Sequence, residues 1–274
     1  MILFVFEGER KEPELHKTLE HLYFSQKSSS IICSFGNNIY ALYKEMMRLD
    51  GDGDIVSVLR EKLEKRGDDT LADKRSSDFS EIYLFFDYDY QHSSLSLDEI
   101  NKRVLEMLEL FNEETANGKL YINYPMIESI MYTKELPDYS YNGYTVTRDQ
   151  CRDFKHLAND FSFYSSMDHI LLTNSHSFIA KKISLVRKNW IFLIEMNVRK
   201  ANFIVSDKDE IVSNINEINQ LSIFEGQKRK YVDVNESVAV LNSFPIFLYE
   251  YFGDKVLQSD DDTDISASPT SNKK

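Results

Sequence analysis

The chain opens with the apolar run Met1-Ile2-Leu3-Phe4-Val5-Phe6 and turns polar at once through Glu7-Gly8-Glu9-Arg10-Lys11-Glu12-Pro13. A short apolar run that stops this sharply predicts a buried strand, here residues 2–6. From Glu12 to Phe24 the apolar positions change period: Leu15, Leu19, Leu22 and Tyr23 fall on one helical face. Pro13 suits the first turn of that helix, where its missing N–H is not needed. Ser30–Phe35 reads as a second strand, and Gly36-Asn37-Asn38 caps a helix to Leu49 with Ile39, Leu42, Tyr43 and Met46 inward. Asp50–Asp54 breaks the chain before a helix over Ile55–Lys65 that carries Val58, Leu59 and Leu63.

After a polar surface loop at 67–80, residues 81–86 predict a third strand that ends in Asp87-Tyr88-Asp89. A helix follows from Ser96 toward Glu114, with Ile100, Val104, Leu105, Leu108 and Phe111 at helical spacing. Asn117-Gly118 turns the chain into a fourth strand, Lys119–Asn123, and Tyr124–Glu128 is expected to open another helix. Alternation of this kind over the first 135 residues predicts an α/β domain, a mainly parallel sheet flanked by helices. Beyond it the pattern turns mostly helical. Asp138–Val146 reads as a loop, Thr147–Val205 as helical, with Asp168–Ala201 a hairpin or a broken long helix, and Gln227–Asn235 as basic and then extended. A last helix is expected to begin at Asn235-Glu236-Ser237, to be interrupted by Pro245 and to end at Gly253. Residues 136–253 thus form a helical C-terminal region, and the polar, acidic stretch 254–274 is expected to be disordered.

Composition narrows the reading. Eighteen Phe and sixteen Tyr in 274 residues indicate a chain able to bury a sizeable core. No run is long enough to span a membrane, and the first six apolar residues lack the basic start of a signal peptide. Cys33 and Cys151 suit neither a disulfide framework nor a zinc site, so a cytoplasmic location is the expectation. The net charge is −13, of which residues 254–274 contribute five acids and three bases, leaving −11 for the remainder. A broad basic face for gripping nucleic acid is therefore excluded. Local basic patches stay in play: Lys181, Lys182, Arg187, Lys188, Arg199 and Lys200, and then Lys228, Arg229 and Lys230. A solvated helix face over Ile183, Val186, Trp190, Leu193 and Ile194 accounts for the first group equally well.

The candidate chemistry lies where the strands end. Glu7 closes the first strand and Asp87 the third, and in open α/β sheets ligands bind at the carboxyl ends of strands. Alternation along a strand suggests that Asp87 and Asp89 face the same way, and a cluster with Glu7 would suit a hard divalent cation. Gly8 permits a close backbone approach at the turn. The plainer reading is that Glu9 and Glu12 are solvated first-turn acids favoured by the helix dipole. His92 lies within reach of Asp89, although a surface histidine is the commoner role.

Strand–Glu-Gly–helix followed by strand–Asp-x-Asp resembles the pattern of Toprim domains, found in topoisomerases, primases and OLD-type nucleases. The wording Phe6-Glu7-Gly8-Glu9-Arg10-Lys11-Glu12-Pro13 is similar to the Glu-Gly-x-x-x-Glu-Pro opening of RloB-like Toprim proteins of bacterial defence loci. Asn123-Tyr124-Pro125-Met126-Ile127-Glu128 is similar to their Asn-Pro-x-x-Glu segment, with Tyr124 inserted. The resemblance covers residues 1–135. It implies a Toprim-like sheet and a Mg²⁺- or Mn²⁺-dependent nuclease acting on DNA or RNA, tRNA included. Glu7 would be general acid/base or metal ligand, Asp87 and Asp89 metal ligands, and Glu12 and Glu128 would complete or orient the metal site. It further implies a toxic effector in anti-phage defence by abortive infection, governed by a partner ATPase or sensor, with self-association left open. The alternatives are a catalytically silent Toprim-like sensor or partner-binding subunit and, more distantly, a HAD-type phosphohydrolase. The latter's Asp-x-Asp normally ends the first strand and continues differently from Tyr90-Gln91.

Overall fold

The computed structural model describes residues 1–24, 29–48, 54–92, 94–164, 167–172, 179–212 and 215–258. Its centre is a five-stranded sheet of β1 (Ile2–Phe6), β2 (Ser30–Ser34), β3 (Glu81–Asp87), β4 (Asn112–Glu113) and β5 (Gly118–Asn123), in the order β2-β1-β3-β5-β4. All pairings are parallel except that of β4 with β5. The helices between the strands are α1 (Lys11–Tyr23), α2 (Ile39–Arg48), α3 (Ile55–Glu64) and α4 (Leu97–Leu110). The expected α/β architecture is therefore present. The helix end expected at Leu49 and the breaker at 50–53 lie outside the described residues.

From β1 the chain steps outward to β2, returns past β1 to β3, and continues the other way to β5. The order reverses between β1 and β3, which opens a crevice beyond their carboxyl ends. Register fixes what stands there: Phe6 is opposite Phe85, and Asp87 is opposite Asn123.

Period-two alternation divides the aromatic load between the faces. Phe4, Phe6, Tyr83, Phe85 and Tyr121 project to one side, where Phe244 stacks on Phe85 at 4.5 Å and Phe247 stands edge-on to it at 5.4 Å. Both partners belong to α10 (Ser243–Phe252), a helix more than a hundred residues downstream. On the other side Phe86 meets Phe35 at 5.8 Å, just ahead of α2. Packing thus crosses the boundary expected near residue 135, and one continuous buried core joins the two regions.

Several local expectations are corrected. The helix expected to reach Glu114 stops at Leu110, because Asn112–Glu113 pairs back against Gly118–Lys119. Tyr124–Glu128 opens only a 3₁₀ turn, Ile127–Met131. The loop at 138–146 contains a second 3₁₀ turn and runs into β6 (Thr145–Thr147), which leads to α5 (Arg148–Cys151), α6 (Phe154–Phe161) and the long α7 (Ala180–Ser206). After α8 (Gln220–Gln227), the stretch expected to be extended is helical: a wide turn over Lys228–Val232 and the short α9 (Asp233–Asn235). Ser237–Ala239 is then β7, paired antiparallel with β6, where a helix start was expected. Its Val238, together with Val240 and Leu241 just beyond it, is buried although no helix forms there. Pro245 does not interrupt a helix; it sits third in α10, where no intrahelical N–H bond is lost, behind the cap that Asn242 provides to the Phe244 N–H. The chain also stays ordered past Asp254, with Val256 buried in a 3₁₀ turn over Gly253–Leu257, while 259–274 lie outside the described residues.

Because α10 completes the sheet's aromatic face, Phe247→Ala should destabilise the whole chain by about 3–5 kcal/mol. Urea unfolding followed by far-ultraviolet dichroism and by Trp190 fluorescence should give one coincident transition. Two separated transitions would show that the regions on either side of residue 135 fold independently.

Candidate functional site

Parallel pairing of β1 with β3 brings Glu7 and Asp87 to the same end of the sheet. The Glu7 backbone N–H donates to the Phe85 carbonyl at 3.0 Å, and the Asp87 N–H donates to Glu7 Oε2 at 3.1 Å. Asp87 Oδ1 accepts from Asn123 Nδ2 at 3.1 Å, so three adjacent strand ends are linked through side chains. Asn123 is 1% exposed and is itself held by Ser243, whose N–H and hydroxyl both donate to its Oδ1. The first turn of α10 therefore braces the acid at the end of β3.

Around these two acids opens a pocket of about 740 Å³ lined by Glu7–Glu12, Gly36–Asn38, Asp87, Ile127, Glu128 and Lys155. Glu12, 5% exposed, folds back so that its Oε1 accepts from the Gly8 N–H at 3.0 Å. A Cβ at position 8 would stand 2.6 Å from the other Glu12 oxygen, which explains the glycine. Glu128, also 5% exposed, arrives on the 3₁₀ turn and takes Lys11 Nζ at 2.7 Å. Glu9 instead faces outward toward Arg66 at 3.6 Å.

Asp89 departs from the expected alternation. β3 ends at Asp87, Tyr88 turns to donate its N–H to the Asn123 carbonyl, and Asp89 adopts a left-handed backbone with φ of +50°. Its carboxylate accepts from Gln91 and Asn38, with His92 close by, and it does not line the pocket. Its charge is still felt by Glu7 and Asp87. Glu7, Glu12, Asp87 and Glu128 thus meet at the pocket, with Asp89 behind them.

Like charges at partial burial resist ionisation. Burial, then the charges of Asp89 and Glu12, push Glu7 up to about 8, although the Asp87 N–H pulls the other way. Asp87 is raised well above the usual carboxylate range by burial, then by Glu7, Glu12, Glu128 and Asp89. Glu12 and Asp89 are raised as well, in both cases chiefly by burial. Carboxylates frustrated in this way are the donor chemistry of a hard cation site. Among the described residues no three acidic, histidine or cysteine side chains converge closely enough to share an ion as they stand. Loading would therefore require carboxylates to move from the partners just described.

The basic candidates scatter. Lys200 is fully buried and donates to the carbonyls of Tyr141 and Tyr144, so it touches no ligand from solvent. Arg187 donates to the Leu22 carbonyl at the end of α1 remote from Glu7. Lys182 donates to the Asp168 carbonyl, and Lys181 and Lys188 are exposed on the first half of α7. Arg199, Lys228 and Lys230 are paired with Asp209, Asp233 and Asp207, and Arg229 reaches the Val205 carbonyl. Sequence reasoning assigned Asn123, Asn38, Arg10 and Lys155 no part in the site. Asn123 had a readable signal, since it also tips an apolar strand. Lys155 had none, because two 3₁₀ turns, β6 and α5 separate it in sequence from the sheet.

No model of a known family, no curated protein and no solved structure matches this chain. No helix among the described residues is long and apolar enough to cross a membrane.

These shifts set a pH dependence. Between 4.5 and about 8 the unfolded chain releases the Glu7 proton while the folded chain keeps it, so stability falls as pH rises through that window. His16, 4.2 Å from Phe4 with neither ring nitrogen bonded, is held down to about 4 by burial. It remains neutral in the folded chain while the unfolded chain protonates below 6.5, so its contribution is complete above 6.5 and is lost toward 4. Without divalent ions, the chain should therefore lose stability from pH 6.5 to 8. Glu7→Gln should recover roughly 2 kcal/mol of that loss, at about 1.4 kcal/mol per pH unit. Equal denaturant midpoints for wild type and variant at pH 8 would refute the raised Glu7.

Proposed function

We propose that the pocket is the active site of a metal-dependent, Toprim-type nuclease that hydrolyses phosphodiester bonds in DNA or RNA. One observation carries the reading: Glu7 and Asp87 stand on adjacent strand ends at the switch point of the sheet, partly buried and mutually discouraged from ionising. A polyanion has no reason to approach five acids unless their charge is neutralised. Mg²⁺ or Mn²⁺ would supply that neutralisation and an activated water for attack at phosphorus.

Glu7 and Asp87 are the primary candidates to hold the ion, with Glu12 and Glu128 completing or orienting the site and Asp89 acting from behind through its charge. The chain's own contribution is to hold these groups in place. The hydrogen bonds take Oε2 of Glu7, Oδ1 of Asp87 and Oε1 of Glu128, so one oxygen of each is uncommitted, and an ion would have to draw the carboxylates together to use them. In its alternative role as general acid/base, a Glu7 pushed up to about 8 in the ion-free pocket is suited to move a proton at neutral pH. The resemblance of the first 135 residues extends the proposal to a toxic effector of bacterial anti-phage defence held in check by a partner ATPase. The competing reading, a silent sensor or partner-binding subunit, draws support from the Lys11–Glu128 pair, which already satisfies one carboxylate.

Of plasmid DNA, tRNA and total RNA incubated with the purified chain and Mn²⁺, at least one should be cut. Glu7→Ala and Asp87→Asn should each slow cleavage by at least a hundredfold without altering the circular dichroism spectrum. No cleavage of any of these substrates, with or without the partner, would favour the silent subunit.

A further inference from the structure

Two bases at the pocket rim stand apart from the others there. Lys11 is taken by Glu128, and Arg66 reaches Glu9 and the Gly36 carbonyl. Arg10 and Lys155 are exposed and line the same pocket, and their side chains make no hydrogen bond or ion pair among the described residues. In a chain with 45 acids and 32 Lys and Arg, two bases with unpaired side chains at the mouth of an acid-lined pocket are out of keeping with their surroundings.

Their positions are nevertheless fixed. Arg10 is the residue immediately before α1, one step from the Lys11 that Glu128 anchors. Lys155 follows Phe154, which is fully buried and stacks on Tyr132 at 5.2 Å, and Phe161 at the other end of α6 stacks on the same ring at 4.2 Å. Tyr132 ends the 3₁₀ turn that carries Glu128, so α6 is clamped to the segment that delivers a pocket acid. The nearest acid in sequence, Asp153, faces His156 instead. The ammonium and guanidinium donors are thereby left for something arriving from solvent.

We propose that Arg10 and Lys155 hold the backbone phosphates of a nucleic acid on either side of the carboxylate floor, so that the C-terminal helical region completes the substrate site. This rests on the nuclease reading for the identity of the anion. It also moves the electrostatic contact away from α7, whose exposed Lys181 and Lys188 lie on the half of the helix that packs near the far end of α1. Phosphate contacts of this kind carry affinity and register, and base sequence is not read by them.

Counterion release supplies a test that a purely structural lysine would not move. Binding of short fluorescein-labelled DNA and RNA strands is followed by anisotropy with Mg²⁺ between roughly 50 and 200 mM salt. Wild type and a Glu7→Gln background that prevents cutting are measured in parallel. Lys155→Ala and Arg10→Ala should each weaken binding severalfold and flatten the log–log salt slope by about 0.7 per lost contact for single strands. Lys155→Arg should preserve both, as should Lys181→Ala and Lys188→Ala, with unchanged thermal midpoints throughout. An unchanged slope in Lys155→Ala and Arg10→Ala overturns the proposal, as does a loss confined to the α7 variants or an absence of binding to either strand. Cleavage is scored separately. A chain that cuts with its salt slope insensitive to Lys155 and Arg10 keeps the nuclease reading and loses this one; a chain that binds through both but never cuts does the reverse.

Discussion

Everything at the site depends on one pairing, the parallel contact of β1 with β3. Its register sets Phe6 opposite Phe85, so Glu7 and Asp87 leave the two strands at nearly the same level, and both are acids. A strand pair cannot separate them without giving up the ladder that holds the sheet together. Burial and mutual repulsion then raise both groups, and the fold tolerates this only because neutral donors share the load: the Asp87 N–H for Glu7, and Asn123 for Asp87. No arginine or lysine side chain bonds to either acid among the described residues. A permanent salt bridge would have relaxed this frustration.

The second support is less local. Asn123 holds Asp87 because Ser243 holds Asn123, and Ser243 is where it is because Phe244 and Phe247 fill the aromatic face of the sheet. Stability and site geometry are therefore carried by the same helix. The apolar area that α10 buries secures the fold, and its first turn sets the orientation of an acid more than a hundred residues upstream. The helical region is in this sense part of the site and no mere appendage to it.

Much of this was readable from sequence. Strands β1, β3 and β5 and helices α1 to α4 follow from apolar runs and helical spacing, because each is a local signal that tertiary packing reinforces. Asp87 and Glu7 were legible for the same reason: a charge directly after five apolar residues has few ways to escape the sheet's edge. Asp89 was misjudged because alternation holds only while the strand lasts, and the strand stops at Asp87. The C-terminal region was harder. Val238, Val240 and Leu241 mimic a helical face yet belong to a two-stranded ribbon and its exit, where pairing with Thr145–Thr147, distant in sequence, decides the conformation. Pro245 read as a breaker because its place in a first turn depends on where the helix begins. Lys155 was beyond reach, since its place at the pocket of Glu7 exists only in three dimensions.

The central claim is that the raised carboxylates are waiting for a cation, and calorimetric titration of Mn²⁺ into the full chain tests it most directly. Run at pH 7 in two buffers of different ionisation enthalpy, the titration counts protons as well as ions. Binding at the strand ends should expel close to one proton per ion, because burial and the neighbouring acids push Glu7 up to about 8, so at pH 7 it keeps a proton that a cation displaces. Glu7→Gln should reduce that release. Binding with no proton release, or no binding at all, would contradict the account.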